Sequence, residues 1–184
     1  KEKKEEQKKL EQRLIFKGKD IKSVTESFIA EMPKEQRKEY GQFFTVPSTA
    51  DFMASLASID FNKQKLSILD AGSGSGVLSA AIVAHLRENG FAGEIELTCY
   101  ETDSNVLTLL QTNLKLLEKS YNITYSLRTD NYILSQTFRD SSTTELYDLI
   151  IGNPPYKKIT KNAKEALAIP EVCYGAPNLY FLFW

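Results

Sequence analysis

The segment Asn153-Pro154-Pro155-Tyr156 contains the residue types that point most directly to chemistry. It follows an apolar run at residues 149–151, and its two prolines hold the chain rigid and remove backbone donors. The Asn153 amide and the Pro154 carbonyl could both accept hydrogen bonds from a planar amino group, which would draw the nitrogen lone pair toward an electrophile. Tyr156 offers a flat face for stacking. The segment therefore predicts a site that binds and activates a planar amino nitrogen.

A glycine-rich turn between Asp70 and Gly76 is a second candidate site. It is predicted to end a strand and open a helix, and the glycines at 72, 74 and 76 let the backbone approach a ligand without obstruction by Cβ. The spacing fits neither the phosphate-binding loop that carries Lys and Ser/Thr nor a strict Gly-x-Gly-x-x-Gly pattern. Because similar turns also bind dinucleotides and phosphates, the loop alone leaves the cofactor open.

Polar side chains stand at the ends of two further predicted strands. Glu101 lies where a carboxylate can accept hydrogen bonds from both hydroxyls of a ribose. Asp130 and Asn131 follow the next strand and offer an acceptor and an amide at the height of a base edge. With the glycine turn, three strand ends are thus predicted to converge on one nucleoside.

Short apolar runs alternate with helical ones from Leu66 onward, which predicts strand–helix units and a parallel sheet. Right-handed crossovers would make this half of a doubly wound α/β sheet. One intervening helix, residues 77–86, is apolar nearly all round, and the next carries an apolar stripe between Val106 and Leu117. The predicted strands are residues 66–70, 95–101, 123–127 and 147–151.

The residues before the sheet predict a charged helical extension, residues 1–40, joined to a catalytic domain, residues 41–184. A helix is predicted within the extension at residues 21–30. Residues 41–48 are rich in Gly, aromatic residues and Pro, which predicts a loop, and this loop leads into a predicted helix at residues 51–58.

The composition is that of one globular domain, with 184 residues of which 42% are hydrophobic and 26% charged. No apolar run predicts a membrane span or a signal peptide, so we expect a cytoplasmic protein without membrane contact. Cys99 and Cys173 lack metal-ligand spacing, so no metal site is predicted.

The net charge of −1 does not by itself indicate a nucleic-acid binder. A local basic cluster nevertheless follows the Asn-Pro-Pro-Tyr segment directly, and it could either meet phosphates or form a solvated loop. Its members are Lys157, Lys158, Lys161 and Lys164.

These motifs resemble those of S-adenosylmethionine-dependent DNA adenine methyltransferases of the restriction-modification type, which are directed to amino groups. The resemblance covers about residues 40–184. Residues 153–156 match the family's Asn-Pro-Pro-Tyr catalytic motif. Residues 70–76 resemble its cofactor loop, although Ala-Gly-Ser-Gly stands here where many relatives have Pro-x-Cys-Gly. Residues 41–48 resemble a loop that folds over the methionine end of the cofactor and has a Phe-Thr-x-Pro core, in which Val46 here separates Thr45 from Pro47.

The resemblance implies a set of site residues, with Glu101 bound to the ribose and Asp130 to the adenine amino group of the cofactor. The implied catalytic residues are Asn153, Pro154, Pro155 and Tyr156. The implied residues around S-adenosyl-L-methionine are Phe44, Thr45, Pro47, Asp70, Gly72, Gly74, Gly76, Glu101, Thr102, Asp130, Asn131 and Asn153. The implied nucleic-acid contacts are Lys157, Lys158 and Lys161.

The resemblance further implies methylation of N6 of an adenine extruded from double-stranded DNA, with Tyr156 stacked on the extruded base. No catalytic histidine is expected, and His85 is interpreted as a structural or surface residue. The same motif also occurs in enzymes that methylate RNA adenine or release-factor glutamine. A non-catalytic nucleic-acid-binding module is a further alternative.

No segment resembles a target-recognition domain, so we expect sequence specificity to lie beyond Trp184 or in a partner, such as a specificity subunit that accompanies a restriction nuclease. Residues 179–184 are apolar and aromatic, which predicts a buried helix or strand, and we expect the natural protein to continue past them. The fourth strand would then be a bare sheet edge, so we predict that the chain alone associates through this edge or is poorly active.

Overall fold

The computed structural model describes residues 20–31, 33–35, 44–136, 146–173, 175 and 177–183. Its helices are α1 (Asp20–Glu31), α2 (Pro47–Ser55), α3 (Val77–Glu88), α4 (Ser104–Tyr121), α5 (Tyr132–Gln136) and α6 (Lys164–Ala168). Its strands are β1 (Lys65–Asp70), β2 (Glu94–Tyr100), β3 (Thr124–Arg128) and β4 (Leu149–Ile151). Short 3₁₀ turns occupy Pro170–Val172 and Leu179–Leu182.

The strands form one parallel sheet in the order β3-β2-β1-β4. Lys65 lies opposite Glu94 on one side of β1, and Ile68 lies opposite Leu149 on the other. The order of the strands reverses at β1, because the chain runs outward to β3 and then returns to β4. Such a reversal opens a crevice at the carboxyl ends of the strands, where open α/β sheets bind ligands.

The hydrophobic core lies between the sheet and its helices, as the sequence periodicity predicts. α3 buries residues nearly all round, including Leu78, Ile82 and Leu86, and the apolar stripe of α4 is buried from Val106 to Leu117. Each strand of the central pair β1 and β2 is buried over most of its length. This packing confirms the predicted α/β architecture.

α1 lies within the predicted extension and packs against α3 and α4. Ile21 is buried, and Thr25 accepts a hydrogen bond from the Asn113 amide of α4 over 3.4 Å. The described part of residues 1–40 thus contacts the helices of the sheet domain. Within the described residues, no helix is both long and apolar enough to cross a membrane.

Two predicted elements differ from the structure, one near each end of the catalytic domain. Pro47 and Ser48 belong to α2 rather than to a loop. Proline suits the first position of a helix, because its φ is already helical and the N–H that it lacks would have no partner within the helix. α2 also ends earlier than predicted, at Ser55. The predicted buried element at 179–184 is only a short 3₁₀ turn, in which Leu182 is buried but Phe181 is 63% exposed. Residues 41–43 and 184 lie outside the described residues.

β4 begins two residues later than predicted, and Asp148, just before it, is bonded to β1 through both its backbone and its side chain. The Asp148 N–H donates to the Ser67 carbonyl over 2.9 Å. One Asp148 oxygen accepts from the Ser67 N–H over 2.9 Å, and the other is paired with Lys63. The Lys63 hydrogen bond, supported by Ser67, lowers the pKa of this carboxyl. Among the described residues, β4 pairs with β1 alone and forms one edge of the sheet.

Arg87 joins three chain segments at the amino-terminal side of β2. Its guanidinium donates to the carbonyls of Phe91 and Gly93 over 2.8 and 2.7 Å, and to those of Tyr121 and Asn122 over 3.2 and 3.4 Å. The end of α3, the turn into β2 and the end of α4 are therefore tied to one side chain. Its planar array of five donors suits this role, which an ammonium could fill only in part.

We expect Arg87→Ala to lower the free energy of unfolding by about 2–4 kcal/mol, because several charge-assisted hydrogen bonds are lost together. Urea denaturation measures the change. Lys119→Ala, which removes an exposed charge from the last turn of α4, is the matched control and should shift the value by less than about 0.5 kcal/mol. Equal effects of the two substitutions would contradict the assigned role.

Candidate active site

A cleft of about 250 Å³ opens at the carboxyl ends of β1, β2 and β3. It brings together eight of the predicted cofactor residues: Phe44, Gly72, Gly74, Glu101, Thr102, Asp130, Asn131 and Asn153. Further lining residues that the sequence analysis did not name include Ala71, Tyr100, Asp103, Tyr132 and Phe183. The four other predicted cofactor residues, Thr45, Pro47, Asp70 and Gly76, lie outside its lining.

The backbone of the glycine turn requires glycine at two positions. Gly74 has φ +52° and Gly76 has φ +81°, in the left-handed region that side chains disfavour. A Cβ on Gly74 would lie 3.2 Å from the Phe44 ring, and one on Gly76 would lie 3.0 Å from Leu110. Gly74 therefore brings bare backbone to the cleft, whereas Gly76 lets α3 begin close to α4.

Glu101 holds the turn and the start of α4 in place. One carboxylate oxygen accepts from the Gly74 N–H over 2.9 Å, and the other accepts from the Asp103 N–H over 2.8 Å. Because each carboxylate oxygen can accept more than one hydrogen bond, the group keeps acceptor capacity on its cleft side. Its half-buried position at the end of β2 suits the predicted role as the acceptor for ribose hydroxyls.

Asp70 lies beneath the turn and is fully buried. Ser79 donates to its carboxylate over 2.6 Å. Burial raises the pKa of Asp70 to about 6, against the opposing hydrogen bonds from Ser79 and Gly72 and with a smaller contribution from the nearby charge of Glu101. In this position the side chain supports the turn from below rather than facing the cleft.

Asp130 and Asn131 lie at the rim of the cleft, but their side chains differ in availability. Asp130 is exposed. The Asn131 amide oxygen accepts from the Leu134 N–H over 3.2 Å, and its nitrogen donates to Glu165 of α6 over 2.9 Å. Asn131 therefore joins α5 to α6, and a direct contact of its amide with a ligand would compete with these bonds.

An aromatic group that the sequence analysis missed forms one wall of the cleft. The Tyr132 ring packs edge-on against Tyr100, with centroids 5.2 Å apart, and is stacked on Phe183 at 5.8 Å. Arg128 donates to the Tyr100 hydroxyl over 2.8 Å, which fixes the buried end of the group. Aromatic residues at strand ends resemble core residues in a sequence, so only the position of Tyr132 next to Asn131 could have suggested this wall.

The Asn-Pro-Pro-Tyr segment leaves β4 where the first cleft meets a second one, of about 520 Å³. Asn153 lines both clefts, whereas Pro155 lines the first, and Pro154 and Tyr156 line the second. Tyr156 is 70% exposed, and one face of its ring is stacked on Tyr180, with centroids 4.7 Å apart and planes inclined by 13°. The segment thus faces two compartments at once.

The second cleft runs between α2 and β4. Its lining residues are mainly apolar or aromatic: Thr49, Met53, Leu56, Ala57, Ile82, Leu149, Ile150, Ile151, Gly152, Asn153, Pro154, Tyr156 and Tyr180. Because Tyr156 and Tyr180 present stacked rings to it, a planar group is the ligand that this surface suits best.

The basic cluster lies on a loop that follows Tyr156 and whose two ends are hydrogen-bonded to each other. Lys157, Lys158 and Lys161 are exposed. Lys158 forms an antiparallel bridge with Asn178, and the Leu179 N–H donates to the Lys157 carbonyl over 2.8 Å. The loop therefore begins and ends beside Tyr156, and Lys157 and Lys158 lie next to this residue of the second cleft.

The first cleft fits an adenosyl cofactor in its donors, acceptors and apolar surfaces. Bare backbone at Gly72 and Gly74 allows close approach, Glu101 offers acceptors for a ribose, and aromatic side chains offer faces for a base. We expect Gly74→Ala to weaken binding of S-adenosyl-L-methionine by about tenfold, because the strained turn and displaced Phe44 alter the wall of the cleft.

Isothermal titration calorimetry on the full-length protein checks this. Gly90→Ala is the matched control, because Gly90 also has positive φ, at +91°, but has open space around the missing Cβ and lies away from the cleft. Equal affinities of the two variants would contradict a close approach at Gly74.

The buried Asp70 carboxyl makes stability depend on pH. Its pKa of about 6 in the folded protein exceeds the ordinary value of 3.8, so the folded state binds the proton more tightly than the unfolded state. Stability from this group is therefore present below about pH 4 and is lost as the pH rises to about 6, by roughly 3 kcal/mol in total.

Asp70→Asn cannot titrate and serves as the reference. We expect the free energy of unfolding of the wild type, relative to this variant, to fall by roughly 2.5 kcal/mol between pH 4 and pH 7 in urea denaturation. Parallel pH profiles for the two proteins would show that Asp70 is not buried as a high-pKa carboxyl.

Comparison with known proteins places this geometry in a family. A solved structure from Listeria monocytogenes, described as a class I S-adenosylmethionine-dependent methyltransferase, matches with a TM-score of 0.63 at 17% identity, over 91% of this chain and 49% of that one. This likeness confirms the predicted fold, the doubly wound α/β sheet of class I methyltransferases.

Curated sequences give a closer relationship. The chain is 30% identical over 171 residues to type II methyltransferase M.PstI of Providencia stuartii, which covers 89% of this chain and 33% of that protein. It is 32% identical over 157 residues to M.BsuBI of Bacillus subtilis, with 81% and 31% covered. The chain thus spans about a third of the length of these relatives. The sequence model described as N-6 DNA Methylase matches residues 17–169. The chain belongs to the N-6 DNA methylase family.

Proposed function

We propose that this chain is the cofactor-binding and catalytic part of an adenine-specific DNA methyltransferase, which transfers a methyl group from S-adenosyl-L-methionine to N6 of an adenine flipped out of double-stranded DNA. The observation that carries the proposal is the position of Asn153, which lines both the cleft suited to the cofactor and the cleft suited to a planar base. A donor and an acceptor of the methyl group can meet only at such a junction.

The first cleft binds the cofactor. Glu101 accepts from the ribose hydroxyls with the capacity left beyond its bonds to the Gly74 and Asp103 N–H groups. Asp130, exposed at the rim, accepts from the adenine amino group, and Phe44 and Phe183 enclose the ligand. When bound, the cofactor supplies a methyl group on a sulfonium centre.

The catalytic segment binds the target. The adenine must leave the DNA stack, because its amino group is otherwise unreachable. The base stacks on the face of Tyr156 that Tyr180 does not cover. The Asn153 amide oxygen and the Pro154 carbonyl accept from the amino group, so the rate arises mainly from orientation and fixed dipoles. The nitrogen becomes acidic once alkylated, and its proton can pass to water without a side-chain base.

Double-stranded DNA is the proposed partner. The relatives named type II methyltransferases support this partner. The exposed side chains of Lys157 and Lys158, which directly follow Tyr156, and of Lys161 support it as well. These lysines contact phosphates that flank the extruded base. A specificity domain or subunit supplies the sequence-reading contacts, alongside a restriction nuclease, and the sheet edge at β4 provides a surface for association. The enzyme acts in the cytoplasm, at the nucleoid.

A second candidate is methylation of a glutamine side chain. The chain is 35% identical over 105 residues to a protein of Fusobacterium nucleatum subsp. nucleatum named release factor glutamine methyltransferase, which covers 57% of this chain and 25% of that protein. A glutamine amide and an adenine amino group both present a planar nitrogen to Asn153. The chemistry of the site is common to both, so the substrate decides between them.

The test measures transfer of labelled methyl groups by the full-length protein to duplex DNA, RNA and a release-factor peptide. We expect N6-methyladenine in DNA, and a loss of at least about 100-fold in the rate for Asn153→Ala, the range found for removal of a preorganised polar group. Asn62→Ala, in an exposed turn, is the matched control and should retain full activity.

Each other result identifies an alternative. Label in the peptide or RNA would retain the chemistry but replace the DNA substrate. Absence of transfer to all three substrates would favour a non-catalytic binding module.

A further inference from the structure

A hydrogen bond connects the catalytic segment to the chain just before α2. The Asn153 side-chain nitrogen donates to the Thr45 hydroxyl over 3.2 Å, although the two residues are 108 positions apart. Both residues are half-buried. Thr45 and Asn153 line a small cavity of about 20 Å³ beside the glycine turn, and Thr45 lines neither the first nor the second cleft.

We propose that Thr45 is a positioning residue that orients the Asn153 amide for methyl transfer, rather than a residue that binds the cofactor. This inference rests on the proposed function. An amide group has a donor end and an acceptor end. When its nitrogen is bonded to Thr45, the oxygen is the end that remains for the amino group of the target. Without the Thr45 acceptor the Asn153 amide can rotate. Its NH₂ group would then face the amino group of the target, and two hydrogen-bond donors would lie against each other.

The surroundings of Thr45 hold its hydroxyl in a fixed place. Thr45 immediately precedes Val46, the cap of α2, whose carbonyl accepts from the Ala50 N–H over 3.0 Å. Pro47 sets the first helical residue, and α2 packs closely on α3. The β-branched side chain of threonine adds a restricted χ1 angle. The hydroxyl is thus attached to a rigid helix start rather than to a free loop.

The adjacent residue Phe44 has a different environment from Thr45. Phe44 lines the first cleft and lies against Gly74, whereas Thr45 reaches the catalytic segment. Two adjacent residues therefore serve two different groups, the first enclosing the cofactor and the second orienting Asn153. The resemblance to DNA adenine methyltransferases, by contrast, implies that Phe44 and Thr45 both bind the cofactor.

The test compares Thr45→Val and Thr45→Ser in the full-length protein. Valine keeps the shape and removes the acceptor, and we expect kcat to fall by about five- to tenfold, the range that one neutral hydrogen bond gives. The Kd for S-adenosyl-L-methionine should stay within about threefold of the wild type, and serine should restore kcat to within about threefold. Thr112→Val removes a threonine hydroxyl from α4, outside the lining of both clefts, and serves as the control.

A second comparison tests whether Thr45 acts through Asn153. In an Asn153→Ala background, Thr45→Val should cause no further loss of kcat, because the group that it orients is gone. Thermal melting checks that each variant folds, and Thr45→Ala replaces the valine variant if the latter does not.

The other outcomes overturn the inference in distinguishable ways. A raised Kd for the cofactor with unchanged kcat would make Thr45 a cofactor contact, and unchanged values of both would leave it without a role in the reaction. Additive losses in the double variant would show that it acts independently of Asn153. A wild-type protein that methylates none of the three substrates would overturn the proposed function and this inference together, whereas methylation of peptide instead of DNA would overturn the substrate alone.

Discussion

The position of β1 between β2 and β4 is the constraint on which the site depends. Because all three strands are parallel, their carboxyl ends lie at the same edge of the sheet, and each releases one functional segment there. β1 ends in the glycine turn, β2 ends beside Glu101, and β4 ends before Asn153. The strand order reverses at β1, and open α/β sheets bind ligands at the carboxyl ends of the strands where such a reversal occurs. Pairing of the strands thus determines which short motifs can meet.

Hydrogen bonds then fix the distances that the sheet alone would leave variable. The Gly74 N–H bonded to Glu101 joins the turn after β1 to the end of β2, and the Ser73 N–H donates to the Tyr100 carbonyl over 2.9 Å. From below, the Asn113 amide donates to the Ser75 carbonyl over 2.8 Å. The turn is therefore held on both sides by polar groups. Its positive φ angles and the buried Asp70 oppose stability, and these contacts offset that cost.

Much of the fold could be predicted from sequence because its signals are local. Strand and helix periodicity located all four described strands to within two residues, and the burial of α3 and α4 followed from their apolar patterns. The candidate site residues could also be identified from the sequence. A glycine-rich turn, a carboxylate and the Asn-Pro-Pro-Tyr segment each follow a strand, where packing alone gives little reason for these residue types. Their meeting in one cleft follows from parallel topology.

The remainder depends on tertiary contacts that no local pattern encodes. The Asp70 carboxylate is bonded to Ser79 in the following helix, and the Asn131 amide is bonded to Glu165, 34 residues further along the chain. The aromatic wall around Tyr132 escaped prediction because stacking partners such as Phe183 carry no sequence signature of their own. Sequence identifies which groups can do chemistry, but it does not say which of their lone pairs and donors remain available.

The contact between Thr45 and Asn153 shows why that availability matters for function. A motif defined by four consecutive residues specifies an amide, yet an amide accepts or donates according to how it is turned. The group that orients this amide is the Thr45 hydroxyl, which lies 108 residues earlier, before the first strand. It reaches the motif because α2 packs on α3 beside the glycine turn. The two segments are thus joined through one hydrogen bond, and the packing of the helices decides which end of the Asn153 amide remains available.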